Sequence, residues 1–150
     1  MWLKLQRPSI YRPIVGDKDD LQIIFSGTVV GHYILAHFVA AENLVKIYDT
    51  LHGSGDHGRF LQPTEVSILT RLYPERRVTF VEPATKQPDG SSCGVFAIAN
   101  ATSIMLGRDP ATYTLKLNRI LRNRRNDITM PLRNHLIDMY RSNVLSLIPQ

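Results

Sequence analysis

Hydrophobic and polar positions alternate or recur along this chain in ways that divide it into recognisable elements. Leu21-Gln22-Ile23-Ile24-Phe25-Ser26 is β-branched and aromatic enough for a strand, and His32 to Val39 reads as a second one. Ala40-Ala41-Glu42-Asn43 is a short polar turn, and Leu44 to Asp49 is a third strand. Two strands joined by such a turn pair as an antiparallel hairpin. From Gln62 to Tyr73 the pattern changes to a helical one, with Val66, Leu69 and Leu72 forming an apolar stripe, and Pro74 stops it. Arg77-Val78-Thr79-Phe80-Val81 alternates as a strand. An apolar, helix-competent run then extends from Cys93 to about Leu106, with Gly107 at a helix C-terminus and Pro110 just beyond. The spacing predicts further helices over Thr112 to Arg125 and Met130 to Tyr140, and an apolar tail, Val144 to Pro149, that docks on the body.

The order hairpin-rich sheet, helix, strand, nucleophile helix and then further helices predicts an α+β fold, a sheet flanked by helices with strands partly segregated from them. The 150 residues fit one domain, 1–150, large enough to bury a core. With 43% hydrophobic and 21% charged residues the composition is that of a globular protein, not a disordered one. No apolar run reaches the length of a membrane span, and Met1 to Pro8 lacks the apolar core of a signal peptide. The single cysteine rules out an intrachain disulfide, so a cytoplasmic or nuclear location is expected. The net charge of +5 permits an acidic partner or nucleic acid without requiring either.

The chemistry concentrates around that cysteine. Gln87-Pro88-Asp89-Gly90-Ser91-Ser92-Cys93-Gly94 places a thiol after a Gly/Ser-rich turn, at the first turn of a helix, with Ser92 as the expected N-cap. Unpaired N–H groups and the positive end of the helix dipole favour a thiolate there, the form that attacks carbonyls. A nucleophilic site also needs an imidazole, a group to orient it and donors for an oxyanion. His32 opens one hairpin strand and Asp49 ends its partner, so the two meet at one open end of the hairpin. Gln87 stands six positions before the thiol, where its side-chain amide reaches across the turn. The expected roles are Cys93 as nucleophile, His32 as base and then acid, Asp49 as its orienter, and Gln87 with the Cys93 backbone N–H as oxyanion donors. A lone cysteine is more often a buried small hydrophobe, and an aspartate after a strand more often a turn former. It is the combination that points to chemistry.

With those residues in view, the chain resembles the ubiquitin-like-protein-specific, SUMO-protease-like cysteine proteases. The segments that carry the resemblance are His32-Tyr33-Ile34-Leu35, Val45-Lys46-Ile47-Tyr48-Asp49-Thr50-Leu51, and Gln87 through Cys93-Gly94-Val95-Phe96. It covers roughly residues 21–149. Phe96-Ala97-Ile98-Ala99, Gly107-Arg108-Asp109-Pro110 and Met130 through Leu136 look like a divergent invertebrate branch of that family, many members of which are associated with mobile elements. The resemblance implies a papain-like core with the order His, Asp, Gln, Cys in a mixed or antiparallel sheet flanked by helices. It implies thiol hydrolysis of peptide or isopeptide bonds after the Gly-Gly end of a ubiquitin-like modifier, with no cofactor and no metal. Tyr33 stands where the family usually has Trp, Thr50 where it has Ser, and Ser92 where many members have Asp. Tyr33, Trp2 and Ser92 are the candidates for substrate contact. The region before His32 is short for the family, which implies a reduced modifier-binding surface.

Two alternatives come from other classes. One is a catalytically weak relative that binds a ubiquitin-like protein. The other is a nucleic-acid-associated accessory domain acting through Arg119, Arg122, Arg124 and Arg125 beside Lys116, although a charge run on a helix is usually a solvated face. His52, Asp56 and His57 fit no standard zinc spacing and read as a Gly-rich loop. His37, five residues after His32, falls on the other face of its strand and is a poor candidate for the base.

Overall fold

The computed structural model describes residues 13–14, 16–27, 31–51, 61–116 and 130–146. Among the described residues the strands are β1 (Asp20–Ser26), β2 (His32–Val39), β3 (Leu44–Tyr48) and β4 (Arg77–Val81). The helices there are α1 (Pro63–Leu72), α2 (Cys93–Met105) and α3 (Met130–Ser142). The strands form one four-stranded sheet in the order β1-β2-β3-β4, antiparallel as far as β3, with β4 parallel to β3. The architecture is therefore α+β with a mixed sheet. A parallel neighbour needs a crossover, and α1 lies in the β3–β4 connection.

The β2–β3 hairpin closes through a 3-10 turn over Ala40–Glu42, and Asn43 adopts the left-handed conformation (φ 50°) that asparagine tolerates. Leu35 stands opposite Tyr48 at the last ladder position, which brings His32 and Asp49 to the same end of the sheet.

Side chains of successive strand residues point to opposite faces, and each face is covered by a helix. Ile24, Ile34, Ala36, Phe38, Val45 and Ile47 pack with Ile68, Leu69, Leu72 and Tyr73 on the α1 side. Leu35 and Tyr48 pack with Ala97 and Ala101 of α2 on the other, joined by Tyr33, Val81 and Ile104. Beyond α2, Phe96 and Ala99 meet Leu132 and Leu136 of α3 together with Tyr113 and Leu115. Helix α2 thus lies between the sheet and α3, which explains why its sequence is apolar on most sides. Burying one Leu, Ile or Phe side chain contributes about 1.5–3 kcal/mol, and Ile34, Leu35, Ile47, Ile68, Phe96 and Leu132 are all essentially inaccessible. Small residues on α2 allow close approach to β2. A Cβ at Gly94 would come within 3.3 Å of the Tyr33 ring.

The ends of α2 follow local rules with one exception. At its C-terminus Gly107 (φ 74°) donates its N–H to Ile104 and Arg108 donates to Ser103, a Schellman closure as expected of that glycine. At the N-terminus Ser92 occupies the cap position, but its hydroxyl makes no bond to the helix.

Three other expectations change. The buried stripe of α1 is Glu65, Ile68, Leu69 and Leu72, whereas Val66 is 45% exposed. Glu65 is buried because it closes a capping box. Its Oε2 accepts the Gln62 N–H at 2.8 Å and its Oε1 accepts the Ser26 hydroxyl at 2.8 Å. Residues 113–116 are not helical. Tyr113 and Leu115 are buried and alternate with exposed Thr114 and Lys116, and Leu115 donates its N–H to the Thr85 hydroxyl at 2.7 Å. The rest of that expected helix lies outside the described residues. Val144 and Leu145, expected to dock, are more than half exposed, and the last residues of the tail are outside the described set. Among the described residues no helix is long and apolar enough to cross a membrane.

Candidate functional site

His32 and Asp49 meet diagonally at the end of the hairpin, beyond its last ladder pair, Leu35 and Tyr48. His32 Nε2 lies 2.9 Å from Asp49 Oδ1. The Asp49 side chain is buried (1% exposed) and that of His32 nearly so (16%). The same Oδ1 accepts the Leu51 N–H at 3.0 Å, an Asx-type turn that fixes the carboxylate on its own backbone. A carboxylate can only accept, so Nε2 carries the proton in this contact, and neutral imidazole keeps its lone pair on Nδ1.

Gln87 is held just beyond. It is buried, and its Oε1 accepts the hydroxyl of Thr50, the residue after Asp49, at 2.8 Å. Its backbone N–H donates to the Thr50 carbonyl at 3.1 Å. Its Nε2 donates to the carbonyl of Asp89 at 2.6 Å. With Oε1 accepting and one Nε2 hydrogen donated, the orientation of the amide is defined, and a second hydrogen remains on Nε2. The loop carrying Gln87 is tied from its other side as well, by the Ala84 N–H to the Pro110 carbonyl at 2.8 Å and by Leu115 on Thr85.

Asp89 organises the turn before the thiol. Its Oδ1 accepts the backbone N–H groups of Ser91 and Ser92, both at 2.7 Å, and its Oδ2 accepts the Ser92 hydroxyl at 2.8 Å. Burial alone would raise the Asp89 pKa, but the hydrogen bonds from Ser91 and Ser92 outweigh it and hold the carboxyl below the usual carboxylate range. Ser92 is therefore neither a side-chain helix cap nor a substrate contact. It is fully buried, donates to Asp89, and accepts from Arg133 Nη2 of α3 at 3.0 Å. Cys93 opens α2, and it is 5% exposed. The first intrahelical N–H of α2 is that of Phe96, which donates to Ser92, so the N–H groups of Cys93, Gly94 and Val95 form the open N-terminus of the helix.

The immediate neighbours of the four residues touch one another. The ring of Tyr33, next to His32, lies against Gly94, next to Cys93. Thr50, next to Asp49, is bonded to Gln87. The imidazole–carboxylate pair, the amide and the start of α2 thus gather at one end of the sheet. Tyr33 is half-buried and also packs at a tilt against the Phe25 ring, with ring centroids 4.8 Å apart. His37 sits toward the other end of β2, opposite Leu21 and Lys46 and 3.5 Å from Asp19 Oδ2. Trp2, His52, Asp56, His57 and the arginines 119, 122, 124 and 125 lie outside the described residues. Among the described residues no cluster of three or more His, Cys, Asp or Glu side chains has a metal-binding arrangement.

Sequence reasoning missed Asp89, Thr50 and Arg133. Asp89-Gly90-Ser91-Ser92 carries a local signal, since Asp before Gly and Ser is a turn former whose carboxylate bonds N–H groups two and three residues on. Arg133 carries none, because its partner is 41 positions away. Comparison with protein-family models, with curated proteins and with solved structures found no match.

Proposed function

We propose that this chain is a cysteine peptidase that cleaves the peptide or isopeptide bond after the C-terminal Gly-Gly of a ubiquitin-like modifier. On this reading it is a divergent relative of the SUMO-protease-like enzymes, built on a papain-like core. The observation that carries the reading is the part-buried His32–Asp49 contact, at 2.9 Å, at the end of the sheet where the only cysteine of the chain opens a helix. A buried carboxylate fixed on its own backbone and on an imidazole is a costly arrangement, and it suits a ring that must take up and release a proton.

The chemistry runs in two halves. Cys93 gives its proton to Nδ1 of His32, and the sulfur attacks the carbonyl carbon of the terminal glycine. The C–S bond forms as the carbonyl π pair moves onto oxygen. That oxyanion is received by the second Nε2 hydrogen of Gln87 and the N–H of Cys93. The intermediate collapses, the C–N bond breaks, and the leaving amine takes the proton from His32. Water then loses a proton to His32 and attacks the thioester. Cys93 leaves as thiolate beside the protonated His32, and the glycine is released as its carboxylic acid, which gives its proton to solvent. Asp49 stays ionised throughout and stabilises the imidazolium in both halves.

The reading makes a geometric demand. Strand alternation puts Ile34 on the α1 side and Tyr33 and Leu35 on the α2 side. The His32 ring must therefore reach Cys93 beyond the end of the ladder, with Nδ1 toward sulfur. The test is covalent labelling with ubiquitin-like modifiers carrying a C-terminal propargylamide, compared with Cys93→Ala and His32→Ala. The expected result is an adduct on Cys93 with at least one modifier, and none in either variant. Absence of an adduct across a panel of modifiers refutes the peptidase reading. Binding of an unreactive modifier without an adduct would assign the chain to the binding-module class instead.

A further inference from the structure

We infer that Arg133 of α3 is a positioning residue for the oxyanion side of this site, acting through Ser92 and Asp89 on Gln87. The inference rests on the peptidase reading, and it assigns a function to a helix that supplies none of the reacting groups.

The connection is continuous. Arg133 Nη2 donates to Ser92 Oγ at 3.0 Å, and Ser92 Oγ donates to Asp89 Oδ2 at 2.8 Å. The main-chain carbonyl of Asp89 then accepts Gln87 Nε2 at 2.6 Å. A cationic donor on a hydroxyl polarises it and strengthens the bond that the hydroxyl itself donates. Ser92 is fully buried and Arg133 partly so, which shields the bond between them from solvent. Arg133 is itself fixed by packing. Leu132, the residue before it, is 1% exposed, and with Leu136 it packs on Phe96 of α2. Docking of α3 thus delivers a charge to the residue immediately before the nucleophile. Asp89 passes the constraint in two directions, through its carboxylate to the turn that carries Cys93 and through its carbonyl to the amide of Gln87.

A residue that sets oxyanion donors acts on the transition state and little on the bound substrate. It affects much less a reaction of the thiol that builds no oxyanion. Alkylation of Cys93 by iodoacetamide is such a reaction, and Cys93 is the only cysteine. Arg133→Met is expected to lower kcat on a fluorogenic Gly-Gly-modifier substrate by about tenfold or more, with KM and the alkylation rate each within about threefold of the parent. Arg133→Lys keeps a charged donor and is expected to recover most of kcat. Ser92→Ala breaks the same connection from its other side and is expected to match Arg133→Met. Urea titration gives the folded fraction of each variant.

An unchanged kcat in both Arg133→Met and Ser92→Ala overturns the inference. So do kcat, alkylation and folded fraction falling in parallel, since that marks a merely structural role. If the parent protein shows neither turnover nor labelling, the peptidase reading has failed, and the Arg133 connection is judged by amide exchange alone. Protection of the Ser91 and Ser92 amides is then expected to fall about tenfold in Arg133→Met and to persist in Arg133→Lys. Equal protection in all three proteins overturns the connection.

Discussion

Thr50→Val tests the orientation of the Gln87 amide with little change in shape. Thr50 and Gln87 are 4% and 8% exposed, and the hydroxyl-to-Oε1 bond is 2.8 Å. Valine keeps the volume and removes the donor. A buried acceptor left without a partner costs about 1–3 kcal/mol, and urea unfolding should show a loss of that size. The amide cannot escape by rotating. Rotation would turn Oε1 toward the Asp89 carbonyl, which already accepts from Nε2 at 2.6 Å, and two acceptors would face each other. The side chain therefore stays in place but is held at one end rather than two. Removing an oxyanion donor altogether costs about 10²–10³ in kcat, which sets the expectation for Gln87→Ala. Thr50→Val should fall between that limit and the parent, at about 5- to 50-fold, with KM little changed. Thr50→Ser, which keeps the hydroxyl, should lie near the parent. The assay is steady-state hydrolysis of a fluorogenic Gly-Gly-modifier substrate, alongside iodoacetamide alkylation of Cys93. If Thr50→Val turns over within about twofold of Thr50→Ser, the amide does not depend on Thr50 and the assigned role of Gln87 falls.

Asp49→Ala removes the acceptor for His32 Nε2 and for the Leu51 N–H together. A hydrogen bond to a charged group is worth about 1.5–3 kcal/mol, so labelling of Cys93 by the modifier probe should slow by at least about tenfold. Asp49→Asn, which keeps one acceptor oxygen, should slow it less. For Asp89, the folded carboxyl lies below the usual range. Its bonds to Ser91 and Ser92 therefore stabilise the fold above the unfolded pKa of about 3.9, and this contribution is lost as pH falls through the folded value. The stability difference between the parent and Asp89→Asn, measured by urea unfolding, should be constant above about pH 5 and shrink below about pH 4. A difference that persists undiminished in acid would show that the Asp89 charge is not what holds the turn. Glu65→Leu should lower the unfolding free energy by about 2–4 kcal/mol, because it strands the Ser26 hydroxyl and the Gln62 N–H, and a loss below about 1 kcal/mol would mean that these donors find other partners.

What the sequence disclosed about the fold depends on how local each determinant is. β2 and β4 were legible to the residue, since β-branched and aromatic side chains set their pattern without reference to the rest of the chain. The stripe of α1 was misread because Glu65 takes a buried position that polarity argues against. Its two acceptor bonds reverse that argument, and Ser26, its partner on β1, is 39 residues away. The 113–116 segment failed for the same kind of reason. Its alternation of buried and exposed positions is visible in Tyr113-Thr114-Leu115-Lys116, but the Leu115-to-Thr85 bond that ties it to a segment 30 residues away is not. Ser92 satisfied a sound capping rule and still did not cap, because the Asp89 carboxylate three residues earlier accepts the Ser92 hydroxyl as well as the Ser91 and Ser92 amides.

The candidate site divides along the same line. His32 and Asp49 could be paired from sequence because one short turn fixes the register between them, and a hairpin is the most local way to bring two distant side chains together. Gln87 and Cys93 belong to one turn, in which Asp89 bonds both the Gln87 amide and the Ser92 N–H just before Cys93. What could not be read is the join between these two pairs. It is made by Thr50 on Gln87 and by the Tyr33 ring on Gly94, contacts between elements that no spacing encodes. Both belong to residues directly beside the proposed catalytic ones. A substitution at Thr50 or Gly94 should therefore disturb the relation between the two halves while leaving each half intact. That is a different failure from losing the base or the thiol, and alkylation of Cys93 set against turnover can tell them apart.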